Sequence, residues 1–302
     1  MQVIRPTVVT DSILLSSSLP ETDYAAYAVG TTYATGAKVI VVATHKIYES
    51  LQNSNTGHYP PDNLTGATPY WLEIGATNRW RMFDSKVNSI SSASNSITLS
   101  LLSSNVSAIS VLEVDAATLN ITVTDPTDGE IFNTTYDTIS FDNVIDGFTY
   151  FFEPFLYSRN IYAIIPPYAA ATIAITASYP TSTANIGELV VGALVPLGCT
   201  SFGASIGILD YSVKTTDDFG NYTVLERAYS KRGNFDLEIP NSSVGFVMDF
   251  LATYRATPLV WIPTQADYLS SPLIIYGFYK EFNIVVEYHN FSKCSLEIQG
   301  LT

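Results

Sequence analysis

The run Thr118-Leu-Asn-Ile-Thr-Val-Thr124 alternates strictly, with Leu119, Ile121 and Val123 on one side and Asn120, Thr122 and Thr124 on the other. Successive side chains point to opposite faces of an extended chain, so this period of two commits the segment to a half-buried strand and excludes an amphipathic helix. Similar β-rich runs recur at Ile97 to Leu102, Ile109 to Val114 and Ile173 to Thr176. Asp125-Pro-Thr-Asp-Gly-Glu130 supplies the Pro and Asp-Gly that a turn requires. Short strands at this spacing predict a sandwich, and the expected fold class is mainly β.

The remainder of the chain fits that class. A hairpin is expected from Tyr211 to Val213 with Tyr222 to Arg227, joined through Asp217, Asp218, Gly220 and Asn221. One helix is expected over Val244 to Arg255, where Phe246, Val247, Phe250, Leu251 and Tyr254 fall on one stripe that packs on a sheet. Strands at Leu273 to Phe278, Asn283 to Glu287 and Cys294 to Ile298 close the chain.

Composition narrows the partners. Only 14% of residues are charged against 47% hydrophobic, so Ser, Thr, Asn, Gln and Tyr must cover much of the surface. A net charge of −14 with 14 Lys and Arg in all excludes nucleic acid as the main partner, because phosphate neutralisation needs clustered cations. No apolar stretch reaches the ~18 residues of a membrane span, and Met1 to Pro6 lacks the pattern of a signal peptide. Synthesis in a cytoplasm is therefore expected. Cys199 and Cys294 stand outside any paired motif and read as small buried hydrophobes.

The text divides into three parts. Residues 1–23 read as an extended entry segment in which Arg5 to Asp11 form a strand or arm closed by a polar turn, and arms of this type often dock on a neighbour. Residues 24–84 form a compact module rich in Tyr, Gly, Trp and Pro, with a strand at Lys38 to Ala43. Residues 85–302 form the sandwich and assembly domain, opening with a polar linker from Ser85 to Ser96.

The module carries the pattern Tyr27-x-x-Gly30-x-x-Tyr33-x-x-Gly36-x-Lys38-Val39, then Tyr48, Asn55-x-Gly57, Pro60-Pro61, Trp71 and Asn78-Arg79-Trp80. Aromatic rings separated by turn residues can present flat faces, which suit the C–H side of a sugar ring. On Tyr33, Gly36, Val39, Tyr48 and Trp71 the module resembles the small carbohydrate-binding modules of families five and twelve, which occur in bacterial glycosidases and phage tail proteins. The resemblance implies that Tyr48 and Trp71 stack on sugar, with Tyr27 standing where a tryptophan is common. Thr118 to Thr124, Ala171 to Ala177 and Ala184 to Gly192 resemble strands of a galactose-binding-type jelly roll over roughly residues 87 to 210. The whole arrangement resembles structural proteins from the tails of tailed bacteriophages. That implies a homo-oligomer in the virion, at a tail tip or baseplate, with other tail proteins and a host cell-surface glycan as partners.

Catalytic chemistry is not expected. The histidines are His45, His58 and His289, and there is no His-Glu-x-x-His, Gly-x-Ser-x-Gly or phosphate-cradling glycine loop. His45 and His58 read as hydrogen-bonding loop residues. Asp125, Asp128, Glu130, Asp217 and Asp218 read as exposed turn carboxylates, so no metal and no cofactor is expected. Glu49 and Glu73, near the aromatic cluster, are the residues that would serve if the chain hydrolysed a glycoside, which needs paired carboxylates. Three readings follow: a non-enzymatic tail protein that touches glycan, a tail adaptor that does not, and an envelope-degrading enzyme with a binding module.

Overall fold

The computed structural model describes residues 1–103, 105–140, 144–153, 156–216, 218–264 and 273–301. Strands account for 53% of the structure and helices for 10%, in a curled antiparallel sheet consistent with a β-sandwich.

The larger sheet has ten strands. Its order runs Ile161–Tyr168, Val106–Leu112, Glu188–Pro196, Gln2–Pro6, Leu259–Ile262, Ile275–Val285, Phe291–Gly300 and Tyr229–Pro240, and the last of these carries both Cys199–Thr200 and Ser205–Asp210 on its outer edge. A five-stranded sheet runs Leu14–Ser17, Ser91–Leu102, Thr172–Ile186, Thr118–Asp125 and Gly129–Asp137. The alternation along Thr118–Asp125 places Leu119, Ile121 and Val123 inward, each fully buried. They meet Ile109, Val111, Ile161 and Val191 of the large sheet across one hydrophobic core, the defining contact of a sandwich. On the solvent side Asn120 donates to Asn133 Oδ1 at 3.0 Å and to Thr135 Oγ1 at 2.9 Å, cross-strand links that hold the hairpin partner. The turn between them is the expected one: Asp125 Oδ1 accepts from the amides of Thr127 and Asp128, and Gly129 has φ 79°.

Of the two readings of residues 1–23, the strand is the one the fold takes, at Gln2–Pro6 and Leu14–Ser17. Gln2–Pro6 is an interior strand of the large sheet, pairing Val3 with Val195 on one side and Trp261 on the other. Its alternation feeds two cores. Val3 packs with Phe235, Trp261 and Ile298, and Ile4 packs on the opposite face with Val190, Val260 and Tyr276. Leu14–Ser17 then crosses to the small sheet, so this one segment ties both sheets together. An interior strand buries both faces and both edges, which satisfies more backbone and apolar surface than docking on a neighbour could.

Other boundaries moved for local reasons. The polar linker is confined to Ser85 to Ile90, because Ser91–Leu102 is a continuous strand whose first half hides behind small residues. The two strands expected between Leu273 and Glu287 are a single one, Ile275–Val285, with a bulge between Tyr279 and Glu281. The C-terminal helix spans Val244–Thr253 and buries Val247, Phe250 and Leu251, whereas Phe246 lies outside its stripe and is exposed. A second helix, Gly147–Phe152, escaped notice because it is too short for periodicity; a capping box between Asp146 and Thr149 nucleates it. The expected hairpin forms as Val213–Thr216 with Tyr222–Leu225, and Asp217 lies outside the described residues. Cys294 is buried as expected, while Cys199 is exposed and both are free.

Candidate functional site

The front module is built on a three-stranded antiparallel sheet, Lys38–Val41, Lys46–Ser50 and Trp71–Ala76. Its register sets Val39 opposite Tyr48 and Ser50 opposite Trp71. Directly opposite residues share a face, and here that face is the module's own interior. Val39, Tyr48 and Trp71 form one cluster, with Trp71 at 0% and Tyr48 at 1% exposure.

The polar tips of both rings are spent internally. Trp71 Nε1 donates to the His58 carbonyl at 2.8 Å, and Tyr48 Oη lies 3.1 Å from Thr44 Oγ1. A ring enclosed on both faces cannot stack on a sugar, so the stacking role expected of Tyr48 and Trp71 does not fit where the fold puts them. They hold the module together instead.

Tyr27 sits between core and surface. It stacks on Tyr33 at 5.8 Å between centroids and meets Tyr59 at 5.7 Å and Trp71 at 6.0 Å edge-on. Burial raises the Tyr27 phenol above its ordinary range, with smaller contributions from Tyr33 and Tyr59. Its Oη is enclosed without a hydrogen-bond partner. The open rings are Tyr59 at 37% and Tyr24 at 42% exposure, and the Lys38 ammonium stands 5.8 Å from the Tyr24 ring. Sequence reasoning passed over both, because the family pattern drew attention to the interior aromatics. Tyr59 carried a usable signal: it directly precedes Pro60-Pro61, and its extended backbone caps the short helical turn Pro60–Asp62, which pins it at the surface.

The loops beneath these rings are wired by buried polar groups. Asn55, 1% exposed, donates to Ser50 Oγ at 3.0 Å and the Tyr70 carbonyl at 3.3 Å, and its Oδ1 lies 2.9 Å from His58 Nδ1. The His58 ring stacks on Tyr70 at 3.5 Å. His45 bridges Glu21 Oε1 at 3.0 Å and Asp11 Oδ2 at 3.2 Å while stacking on Trp80 at 4.0 Å. Both histidines are loop fasteners, and His45 fastens the module to the segment before it.

Glu49 and Glu73 do not converge. Glu49 lies opposite Leu72, and Glu73 opposite Tyr48, so consecutive Tyr48 and Glu49 place the two carboxylates on opposite faces of the sheet. Each ends in an ion pair, Glu49 with Lys38 at 3.7 Å and Glu73 with Lys46 at 2.8 Å.

Away from these rings, the buried Glu188 and the half-buried Asp84 come together where the module's end meets the large sheet. Glu188 Oε1 accepts from Tyr276 Oη at 3.2 Å, and burial, then the neighbouring Asp84, pushes the Glu188 carboxyl up to about 8. Burial raises Asp84 as well. Beside them a cleft of about 270 Å³ is lined by Glu113, Arg159, Lys231 and Tyr276, where burial lowers the Lys231 ammonium and Glu113 partly offsets it. Among the described residues no group of three or more His, Cys, Asp and Glu is placed to hold a metal ion, and no helix is long and apolar enough to cross a membrane. No protein-family model matches this chain, and no curated protein is similar to it at a significant level.

Proposed function

We propose that this chain is a non-enzymatic structural protein of a bacteriophage tail tip or baseplate, assembled as a homo-oligomer, whose front module contacts glycan on the host surface. The observation that carries the glycan half is the aromatic surface of the module: Tyr59 opens to solvent with Tyr27 edge-on behind it and Tyr33 stacked on Tyr27, and Tyr24 opens to solvent beside the Lys38 ammonium. Open tyrosine rings backed by further rings are rigid, so stacking on a sugar costs little conformational entropy. The structural half is supported by a β-rich frame with few charges and by the placement of Glu49 and Glu73 on opposite faces of their sheet.

The test has two arms. Mass spectrometry of purified phage particles is expected to find the chain as a stoichiometric component, and its absence overturns the virion assignment. For the glycan contact, Tyr24→Ala with Tyr59→Ala is expected to abolish glycan-array binding and lower adsorption to cells while the melting temperature is kept. Unchanged glycan binding and adsorption in this folded double variant would remove the glycan role and leave a purely structural tail adaptor.

A further inference from the structure

Beyond Thr200 the large sheet extends into an arm unlike the rest of the molecule. Ser205–Asp210 pairs on one edge with Tyr229–Asn234, and every one of its residues is exposed on both faces. Its other edge pairs with no named strand among the described residues. The hairpin Val213–Thr216 with Tyr222–Leu225 follows after Tyr211 and Ser212, again exposed throughout. An isolated two-stranded hairpin is marginal in water, and one that buries neither face has little to hold it.

Phe202, Ile206, Ile208, Tyr222, Val224 and Leu225 are all exposed, Ile208 by 67% and Tyr222 by 77%. Within the edge strand itself Ile206 and Ile208 lie on one face, since side chains two apart along a strand point the same way. An exposed strand edge of this kind is a template for pairing with another strand. Sheet edges left open in monomers are guarded by Lys, Pro or a bulge. Here Phe202 to Leu209 contains none of these and no charge, in a chain of net charge −14, and the one charge of the strand, Asp210 at its end, pairs with Lys214 at 3.1 Å.

We infer that Ser205–Asp210 is the edge through which this chain pairs with a second copy of itself, antiparallel and about a two-fold axis. This inference deepens the assembly half of the proposed function and rests on it. The strand is self-complementary in the register centred on Gly207. A two-fold axis perpendicular to the sheet preserves faces, so paired positions must be an even number apart, counting a residue opposite itself as zero. Centring the axis on Gly207 sets Ile206 opposite Ile208 of the other copy, in two symmetric β-branched pairs. Gly207, with no atom within 4 Å of the Cβ it lacks, meets its own copy at the axis, where a side chain would be most crowded. Asp210 then faces Ala204 rather than another carboxylate. Shifting the axis to Ile208 would set Asp210 against Ile206. Low charge matters for this partner in particular, because two bodies of charge −14 repel wherever their carboxylates face.

The test is sedimentation of the full chain at micromolar concentration, with circular dichroism and melting as the check on folding. The wild type is expected as a dimer or a multiple of it. Ile206→Lys and Ile208→Glu, each at an exposed site, are expected to halve the mass while keeping the melting temperature. Combined in one chain, the two substitutions set an ammonium against a carboxylate of the other copy twice, and the dimer is expected to return. Hydrogen exchange reads the same edge: its unpaired amides are expected to exchange slowly in the wild type and fast in each single variant. An oligomer that persists in both single variants overturns this edge while leaving the assembly reading intact. A wild type that is monomeric overturns the inference, and virion composition still decides the assembly reading. A double variant that stays monomeric overturns the register.

Discussion

Tyr276 donates its phenolic hydrogen to Glu188 Oε1 across 3.2 Å, from one strand of the large sheet to another, in an interior that leaves Glu188 Oε2 without a partner. A carboxylate so placed is costly to ionise, and burial followed by the charge of Asp84 holds Glu188 protonated up to about pH 8.

The folded chain therefore keeps a proton on Glu188 that the unfolded chain has lost above its ordinary carboxyl range. Stability from this group is fully present below about pH 4.5, declines as pH rises, and is gone once pH passes about 8. At about 1.4 kcal/mol per pH unit, the window carries a few kcal/mol at most. Glu188→Gln is expected to flatten the fall in melting temperature between pH 6 and pH 9 relative to wild type, and to be the more stable protein at pH 9. Parallel melting curves of the two proteins across that range would refute the assignment. Tyr276→Phe, which removes the donor, is expected to cost about 1–3 kcal/mol at pH 6 by denaturant titration.

The aromatic residues of the module separate into two kinds by their response to truncation. Trp71→Ala empties the interior cluster and frees the His58 carbonyl, and is expected to cost about 3–5 kcal/mol, unfolding the module. Tyr59→Ala removes a ring that is partly in water and is expected to cost about 1 kcal/mol or less. Urea denaturation followed by tryptophan fluorescence checks both.

The first strand is expected to be indispensable. Val3→Asp places a carboxylate among Phe235, Trp261 and Ile298 and is expected to prevent folding, since an unpaired buried charge costs several kcal/mol. Gly192→Ala tests the same strand from its neighbour: a Cβ there would lie 1.9 Å from the Arg5 carbonyl oxygen, so the pairing of Pro6 with Gly192 must break. Both are read as loss of soluble, cooperatively melting protein.

The two thiols are expected to differ sharply. Cys199 is exposed and Cys294 is buried, with burial pushing the Cys294 thiol up to about 11. Opposite Tyr229–Pro240 they face Glu238 and Leu237 respectively, consecutive residues that point to opposite faces, so the sheet separates them. Native protein is expected to take up one equivalent of a maleimide quickly and the second only in denaturant, by mass spectrometry.

Local patterns were enough to establish the class of fold. Leu119, Ile121 and Val123 could only be one face of a strand, Asp125 to Glu130 only its turn, and the Val244 to Thr253 stripe only a helix on a sheet, because each is written in local periodicity and backbone preference. The beginning of the chain shows where local information ends. Gln2 to Pro6 is too short for any period to reveal that both its faces are covered, and its burial depends on strands almost 200 and 260 residues away. The same limit governed the module. Its aromatic residues were legible as a group, but a tyrosine or tryptophan reads alike whether its ring fills a core or faces water. Register decided that: pairing Val39 with Tyr48 and Ser50 with Trp71 turned those rings inward and left Tyr24 and Tyr59 outside. Long-range packing likewise placed the buried Glu188 beside the half-buried Asp84, residues about a hundred positions apart whose removal from water and proximity, rather than their identity, set their chemistry.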